Sequence, residues 1–86
     1  MDTSIPLWAL PIGGRGSILR LDTPEPLRRR LLDLGFIPGA VVTCVGRSAV
    51  GDPSAYEICH AVVAIRQRDA AHIYIHPRKE EDYGAD

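Results

Sequence analysis

The stretch Leu31-Leu32-Asp33-Leu34-Gly35-Phe36-Ile37-Pro38-Gly39 decides the fold of this chain, because it joins the end of a leucine-rich helix to the residues that stop it. Gly35 stands where a helix needs a left-handed C-terminal cap. Pro38 follows three residues later and cannot continue a helix, since it lacks a backbone N–H and its ring clashes with the preceding turn. We therefore predict that the helix ends at about Leu34.

The residues before this stretch predict where the helix begins. Thr23 is a plausible N-cap, Pro24 suits the first helical position, and Glu25 places a negative charge at the positive end of the helix. The apolar residues recur at helical spacing and predict a face that packs inward. This face consists of Leu27, Leu31 and Leu34, with Leu32 beside them.

Segments that favour β-structure surround the helix and predict a mainly β domain. They cover residues 17–21, 41–45, 55–59, 61–65 and 72–76. We predict a bend with only His60 between the third and fourth strands, a turn of helix over residues 67–71, and an end to the last strand at Pro77. About five short strands with one short helix after the first and a helical turn before the last favour a small SH3-like, partly open barrel.

Composition limits the chain to a single domain. Its 86 residues, 45% of them hydrophobic, can close one core, which we place over residues 1–76. The charged segment 77–86 is predicted to be a disordered tail. No cationic leader is visible at the N-terminus, and no apolar run approaches the roughly 20 residues needed to cross a bilayer. We therefore expect a cytoplasmic protein that is not membrane-embedded, with Cys44 and Cys59 as free thiols.

The charge balance and the polar residues exclude two classes of function. The formal net charge of −1 provides no field for attracting nucleic acid, so we expect no direct nucleic-acid binding. No nucleophile, base and orienting acid occur in a plausible arrangement, so we do not expect an enzyme.

Four motifs occur in an order that carries a resemblance to a known family. They are Leu31–Gly39, Gly51-Asp52-Pro53, Val63-Ala64-Ile65-Arg66, and Asp69-Ala70 before the final strand. From about Leu7 to His76 the chain resembles the ferrous-iron transport protein A (FeoA) family. The resemblance implies an SH3-like accessory protein that binds a large membrane Fe²⁺ permease with a cytosolic GTPase domain, and so lies at the inner face of the cell membrane. The same domain occurs in metal-dependent transcriptional repressors, so a regulatory module associated with such a repressor is the alternative.

The residues around the helix end form the predicted partner-binding site. This set contains Leu31, Leu34, Phe36, Ile37 and Pro38, flanked by Arg28 and Arg29. We predict that Leu31 belongs to the core, whereas Phe36 and Ile37 form a partner-facing corner just past the helix cap. The alternative that these apolar side chains only fill the barrel stays open. The arginines either pair with an acidic or phosphate-bearing partner or form a solvated helix face.

Cys59 and His60 are the metal-capable pair. They stand where the resembling family usually has a glycine, so either the turn is altered or the bend has acquired a site for Fe²⁺ or Zn²⁺. His72 and His76 would lie roughly 13 Å apart on one strand face, too far to share one ion. We expect no cofactor beyond weak metal binding at this pair, and weak self-association is left open.

Overall fold

The computed structural model describes residues 3–78. Its elements in chain order are β1 (Ile5–Pro6), a single 3₁₀ turn (Leu7–Ala9), β2 (Arg15–Leu21), α1 (Leu27–Leu34), β3 (Val41–Arg47), β4 (Ser54–Ile58), β5 (Ala61–Ile65), α2 (Gln67–Ala70) and β6 (Ile73–Arg78). The mainly β prediction is confirmed, with the short helix after the first long strand and the helical turn before the last.

The strands form one sheet in the order β1-β6-β2-β3-β4-β5, and every neighbouring pair is antiparallel. Within residues 3–78 the sheet has six strands, one more than the predicted number of about five, because β1 pairs Ile5 with Ile75 of β6. A strand of two residues is too short to show the alternation that reveals a strand in a sequence. β1 and β5 are the two edges of the sheet.

One hydrophobic core lies inside the curved sheet. Alternate residues of the strands supply most of it, as in β6, where Ile73 and Ile75 are fully buried. The helix end contributes Leu31 and Phe36 to the same cluster. The remaining buried apolar residues are Leu7, Leu10, Ile18, Leu21, Val42, Cys44, Tyr56, Ile58, Ile65 and Ala70. The domain is thus held by one continuous set of contacts between sheet and helix.

The predicted start of α1 is wrong, because the helix begins at Leu27 and not at Thr23 and Pro24. The Thr23 side chain is buried, and its hydroxyl has no hydrogen-bond partner among residues 3–78, so it caps nothing there. Pro26 stands at the N-cap position without a capping side chain, and Glu25 precedes it. The Glu25 carboxylate accepts a hydrogen bond of 2.9 Å from the backbone N–H of Arg29, which satisfies one of the free donors of the first turn.

The predicted end of α1 is confirmed. Gly35 adopts a left-handed conformation with φ of 112°. Its N–H donates to the carbonyl of Leu32 at 3.1 Å, and the N–H of Phe36 donates to the carbonyl of Leu31 at 3.0 Å. These two bonds make a Schellman motif, in which the residue after the glycine commonly packs against the last helical turn.

Several predicted strand boundaries differ from the observed ones, and two of these differences change the assignment of a turn or of the domain end. β4 ends at Ile58, so Cys59 belongs with His60 to the turn and not to the strand. β6 continues through Pro77 to Arg78, so the folded domain extends past residue 76. β1 covers β6 only at Tyr74 and Ile75. Pro77 lies beyond the end of β1, so no residue of β1 requires a backbone N–H from position 77, and proline is tolerated there. The rest of the predicted tail, residues 79–86, lies outside the described residues.

Candidate partner-binding surface

Of the predicted partner-binding residues at the end of α1, some are buried in the core and others are exposed to solvent. Leu31 is 2% exposed, as predicted for a core residue, and Phe36 is completely buried. The prediction that Phe36 faces outward is therefore wrong. The Schellman motif is the physical reason, since it brings the side chain after the glycine back against the last turn of the helix. Neither Leu31 nor Phe36 offers a surface to a partner.

Leu34, Ile37 and Pro38 stay on the surface, and we call these three residues the exposed corner. The exposed fraction is 37% for Leu34 and 51% for Ile37. Backbone hydrogen bonds fix the corner in place: Gly39 N–H donates to the carbonyl of Ile18 in β2, and Ala40 N–H donates to the carbonyl of Ile37. The corner is thus an apolar surface whose following residues are hydrogen-bonded to β2 and back to Ile37.

The solvent-facing side of α1 carries the arginines Arg28, Arg29 and Arg30, all exposed. The Arg28 guanidinium lies 3.8 Å from the Glu25 carboxylate, and both side chains are about half exposed. Such a pair at the surface holds its partners weakly, because water screens it. The helix therefore presents basic groups beside the exposed corner.

A groove of about 320 Å³ runs between α1 and the edge strand β5. Leu27, Leu34 and Val63 are among the apolar residues that line it, and Arg30, Arg66 and Arg68 supply basic groups. Sequence reasoning missed Val63, Arg66 and Arg68 as surface residues. The motif that contains Val63 and Arg66 was the available signal, but the position of a strand at the edge of a sheet depends on tertiary pairing.

Cys59 and His60 form the two-residue connection between β4 and β5, with positive φ values of 50° and 67°. Positive φ at both central residues is typical of a tight hairpin turn and usually favours glycine or asparagine. Among residues 3–78, no three histidine, cysteine, aspartate or glutamate side chains come together as ligands for a metal ion. The described part of the chain therefore offers Cys59 and His60 no third ligand of the kind that a stable zinc or iron site needs.

Cys59 lies against Gly35, the residue that caps α1. A Cβ atom placed on Gly35 would lie 2.6 Å from the Cys59 sulfur, so a larger residue at this position would displace the Cys59 side chain. The turn that joins β4 and β5 is thus packed against the residue that ends α1. This contact couples the position of the exposed corner to the hairpin.

Tyr56 is a buried ionisable residue of β4. Burial raises the pKa of its phenol above 10.0, and the neighbouring Ser54 hydroxyl and Arg47 guanidinium oppose that rise. The Tyr56 hydroxyl has no hydrogen-bond partner in the described part of the chain. The Arg47 guanidinium is held by other groups, since it donates to the Leu10 carbonyl at 2.7 Å and to the Ser54 hydroxyl at 2.8 Å. The Arg47 guanidinium thus joins β3 to β4 and to the residue that follows the 3₁₀ turn.

No helix within residues 3–78 has the length and apolar character required to span a bilayer. The described chain is a small β domain with an exposed apolar corner, a basic helix and a groove beside an edge strand. The FeoA domain pattern matches residues 5–77, and the chain belongs to this family.

Relatives agree with this assignment. The chain is 33% identical over 69 residues to the Fe(2+) transport protein A/Fe(2+) transporter FeoB fusion protein of Porphyromonas gingivalis; this match covers 80% of the chain but only 8% of the relative. The solution structure of FeoA from Chlorobium tepidum superposes with a TM-score of 0.83 at 27% identity, covering 87% of this chain and 71% of that one.

Two more distant structures share the fold. FeoA of Stenotrophomonas maltophilia, a prokaryotic SH3 domain protein complexed with zinc, has a TM-score of 0.74 at 22% identity, covering 85% of this chain and 94% of that one. A manganese-dependent transcriptional repressor has a TM-score of 0.78 at 19% identity, covering 91% of this chain and 44% of that one. The predicted SH3-like fold is confirmed.

Proposed function

We propose that this chain is an accessory protein of a ferrous-iron uptake system that works by binding the cytosolic, GTP-hydrolysing part of an Fe²⁺ transporter. The observation that carries the proposal is the relative in which the matching domain and an Fe²⁺ transporter form one polypeptide. Fusion gives two binding partners a high effective concentration. A separate chain of the same family would need its own surface to reach the transporter.

The exposed corner and the basic side of α1 are the proposed contact. Ile37, Leu34 and Pro38 supply apolar area that a partner would remove from water, and Arg28 and Arg29 steer an acidic partner toward it. A contact of this extent falls in the class of small interfaces that bury below about 1,200 Å² and exchange readily. The protein would bind reversibly in the cytoplasm at the inner face of the membrane and bias the transporter's assembly, nucleotide cycle or gating.

The proposal does not require a metal bound to this chain. The Stenotrophomonas maltophilia relative is complexed with zinc and is discussed as a candidate activating factor of ferrous iron transport. In this chain, Cys59 and His60 are not joined by a third ligand from residues 3–78. Iron enters the proposal only as the cargo of the transporter. A metal-free preparation should therefore bind the transporter as well as one supplied with Fe²⁺ or Zn²⁺.

Affinity capture from detergent-solubilised membranes of the native cell tests this proposal. The tagged full-length chain is the bait, and an unrelated SH3-fold domain with the same tag is the control. We expect a large GTP-binding membrane protein to be enriched on the bait alone. Enrichment of a soluble metal-dependent repressor in its place would contradict the proposal and favour the alternative function, in which the DNA-reading helices belong to another chain.

A further inference from the structure

The outer edge of β5 has unused backbone hydrogen-bonding groups. Ile58 and Ala61 flank the two-residue turn and face each other, so the N–H and C=O groups of Ala61, Val63 and Ile65 point toward β4. Those of Val62 and Ala64 consequently point away from the sheet. Within residues 3–78, no hydrogen bond outside the β4–β5 pair engages either residue. This edge can therefore accept another strand.

The groove beside this edge has places for the side chains of such a strand. Leu27 and Leu34 on α1 face Val63 on β5 across a cavity of about 320 Å³. Because side chains alternate along a strand, every second residue of an added segment would enter this apolar groove. Val62 and Ala64 are exposed, so neither the backbone edge nor its outer face is covered by the described chain.

The positive charge around the groove favours an acidic binding partner. Arg30, Arg66 and Arg68 line it, opposed by a single carboxylate from Asp69. The whole chain has a formal charge of −1, so this basic surface is a local concentration of charge. A second copy of the chain pairing through the same edge would bring two sets of arginines together, which costs free energy. An acidic segment satisfies both the arginines and the open edge.

We propose that the β5 edge and its groove bind an extended acidic segment of the transporter, which adds to the sheet as a seventh strand beside the six present. Its backbone pairs with Val62 and Ala64, its apolar side chains enter the groove, and its carboxylates meet Arg66 and Arg68. This inference rests on the proposed function for the identity of the partner. The groove's preference for an acidic strand stands on the geometry alone.

A synthetic peptide of alternating glutamate and valine tests the groove without the transporter, and a lysine–valine peptide of equal length is the control. In ¹⁵N NMR titrations of the full-length chain, the acidic peptide should shift the amide signals of Val62 and Ala64 and slow their hydrogen exchange. The lysine peptide should leave them unchanged. Absence of any change with the acidic peptide overturns the inference.

A pair of variants at one position tests the backbone pairing. Ala64→Pro removes an outward N–H without touching the bonds to β4, and Ala64→Thr keeps that N–H. We expect Ala64→Pro to weaken peptide binding about tenfold or more and Ala64→Thr to leave it nearly unchanged. Arg66→Glu should weaken peptide binding about fivefold, and this effect should shrink as the salt concentration rises. The control Arg20→Glu on β2 should leave peptide binding unchanged. Equal affinity for all folded variants overturns the inference.

Two other occupants give distinct results that also overturn it. If Val62 and Ala64 are already protected in the free chain and the peptide is excluded, the chain's own acidic segment 79–86 occupies the groove. If their signals move with protein concentration alone, a second copy does. Peptide binding without capture of any transporter would contradict the proposed function. Capture of the transporter that is unaffected by Ala64→Pro would contradict only the inference that the groove binds the transporter.

Discussion

Phe36 and Ile37 are neighbours in the sequence with opposite positions in the fold, since Phe36 is completely buried and Ile37 is 51% exposed. Both are large and apolar, so hydrophobicity does not separate them. The left-handed Gly35 does, because its Schellman hydrogen bonds turn Phe36 back toward Leu31. The next residue then points to solvent. A helix cap can thus divide one apolar stretch into a part buried in the core and a part exposed to solvent.

Phe36→Ala should give the largest effect on the buried side. Removing a fully buried aromatic side chain costs about 3–5 kcal/mol of unfolding free energy. A domain of this length has a total stability of roughly 4–13 kcal/mol, so the variant should be partly unfolded at moderate temperature. Urea unfolding followed by circular dichroism measures the loss. A midpoint unchanged from the wild type would show that Phe36 is not a core residue.

Gly35→Ala changes the residue whose conformation separates the buried Phe36 from the exposed Ile37. We expect it to lower the unfolding free energy by about 1–3 kcal/mol. The φ of 112° at Gly35 is unfavourable for alanine, and the new Cβ would lie 2.6 Å from the Cys59 sulfur. The matched variant is Gly35→Ala combined with Cys59→Gly, which removes the clash but keeps the unfavourable φ. A double-mutant cycle should therefore recover part of the loss. Strictly additive free energies would contradict the contact between cap and hairpin.

The unfolding free energy should depend on pH in the alkaline range through the buried Tyr56. Burial raises the pKa of the folded phenol above the unfolded value of 10.0, so the folded state holds the proton more tightly. This contribution to stability is complete below pH 10 and is lost as pH rises through the folded pKa. Tyr56→Phe should reduce the fall in unfolding free energy above pH 10, measured by urea titrations at several pH values. If the unfolding free energy fell equally with pH above 10 in the wild type and in Tyr56→Phe, the fall would not be caused by Tyr56.

Ile37→Ala should have the smallest effect on stability, within about 0.5 kcal/mol, because the side chain is half exposed and leaves no cavity. It is the matched counterpart of Phe36→Ala, with a truncation at the adjacent residue. Thermal unfolding of the two variants side by side gives the comparison directly. A loss above about 2 kcal/mol for Ile37→Ala would mean that the corner belongs to the core after all.

Local patterns in the sequence were sufficient for much of the fold. Alternation located the five longer strands, and the spacing of Gly35 and Pro38 located the end of α1. The start of α1 was missed because burial of Thr23 overrides its preference for an N-cap. The extent of β6 was missed because Pro77 is tolerated where no strand pairs with its open side.

The surface was harder to predict than the fold, because exposure is a property of tertiary packing. Burial of Phe36 was in principle readable from the motif that follows a glycine cap. The position of Cys59 in the turn was not, because its positive φ is unusual for a residue other than glycine. The basic groove depends on β5 being an edge, and strand order is not encoded in the local pattern of β5 itself.

The most direct test of the account is the affinity of Ile37→Asp for the detergent-solubilised Fe²⁺ transporter of the same cell. Val50→Asp is the matched control, since Val50 is 88% exposed and lies in the loop between β3 and β4, outside the exposed corner as defined. With both variants shown to be folded by thermal unfolding, we predict that Ile37→Asp binds about tenfold more weakly or worse, a loss of at least about 1.4 kcal/mol. Val50→Asp should bind like the wild type. Full wild-type affinity of a folded Ile37→Asp protein would contradict the account.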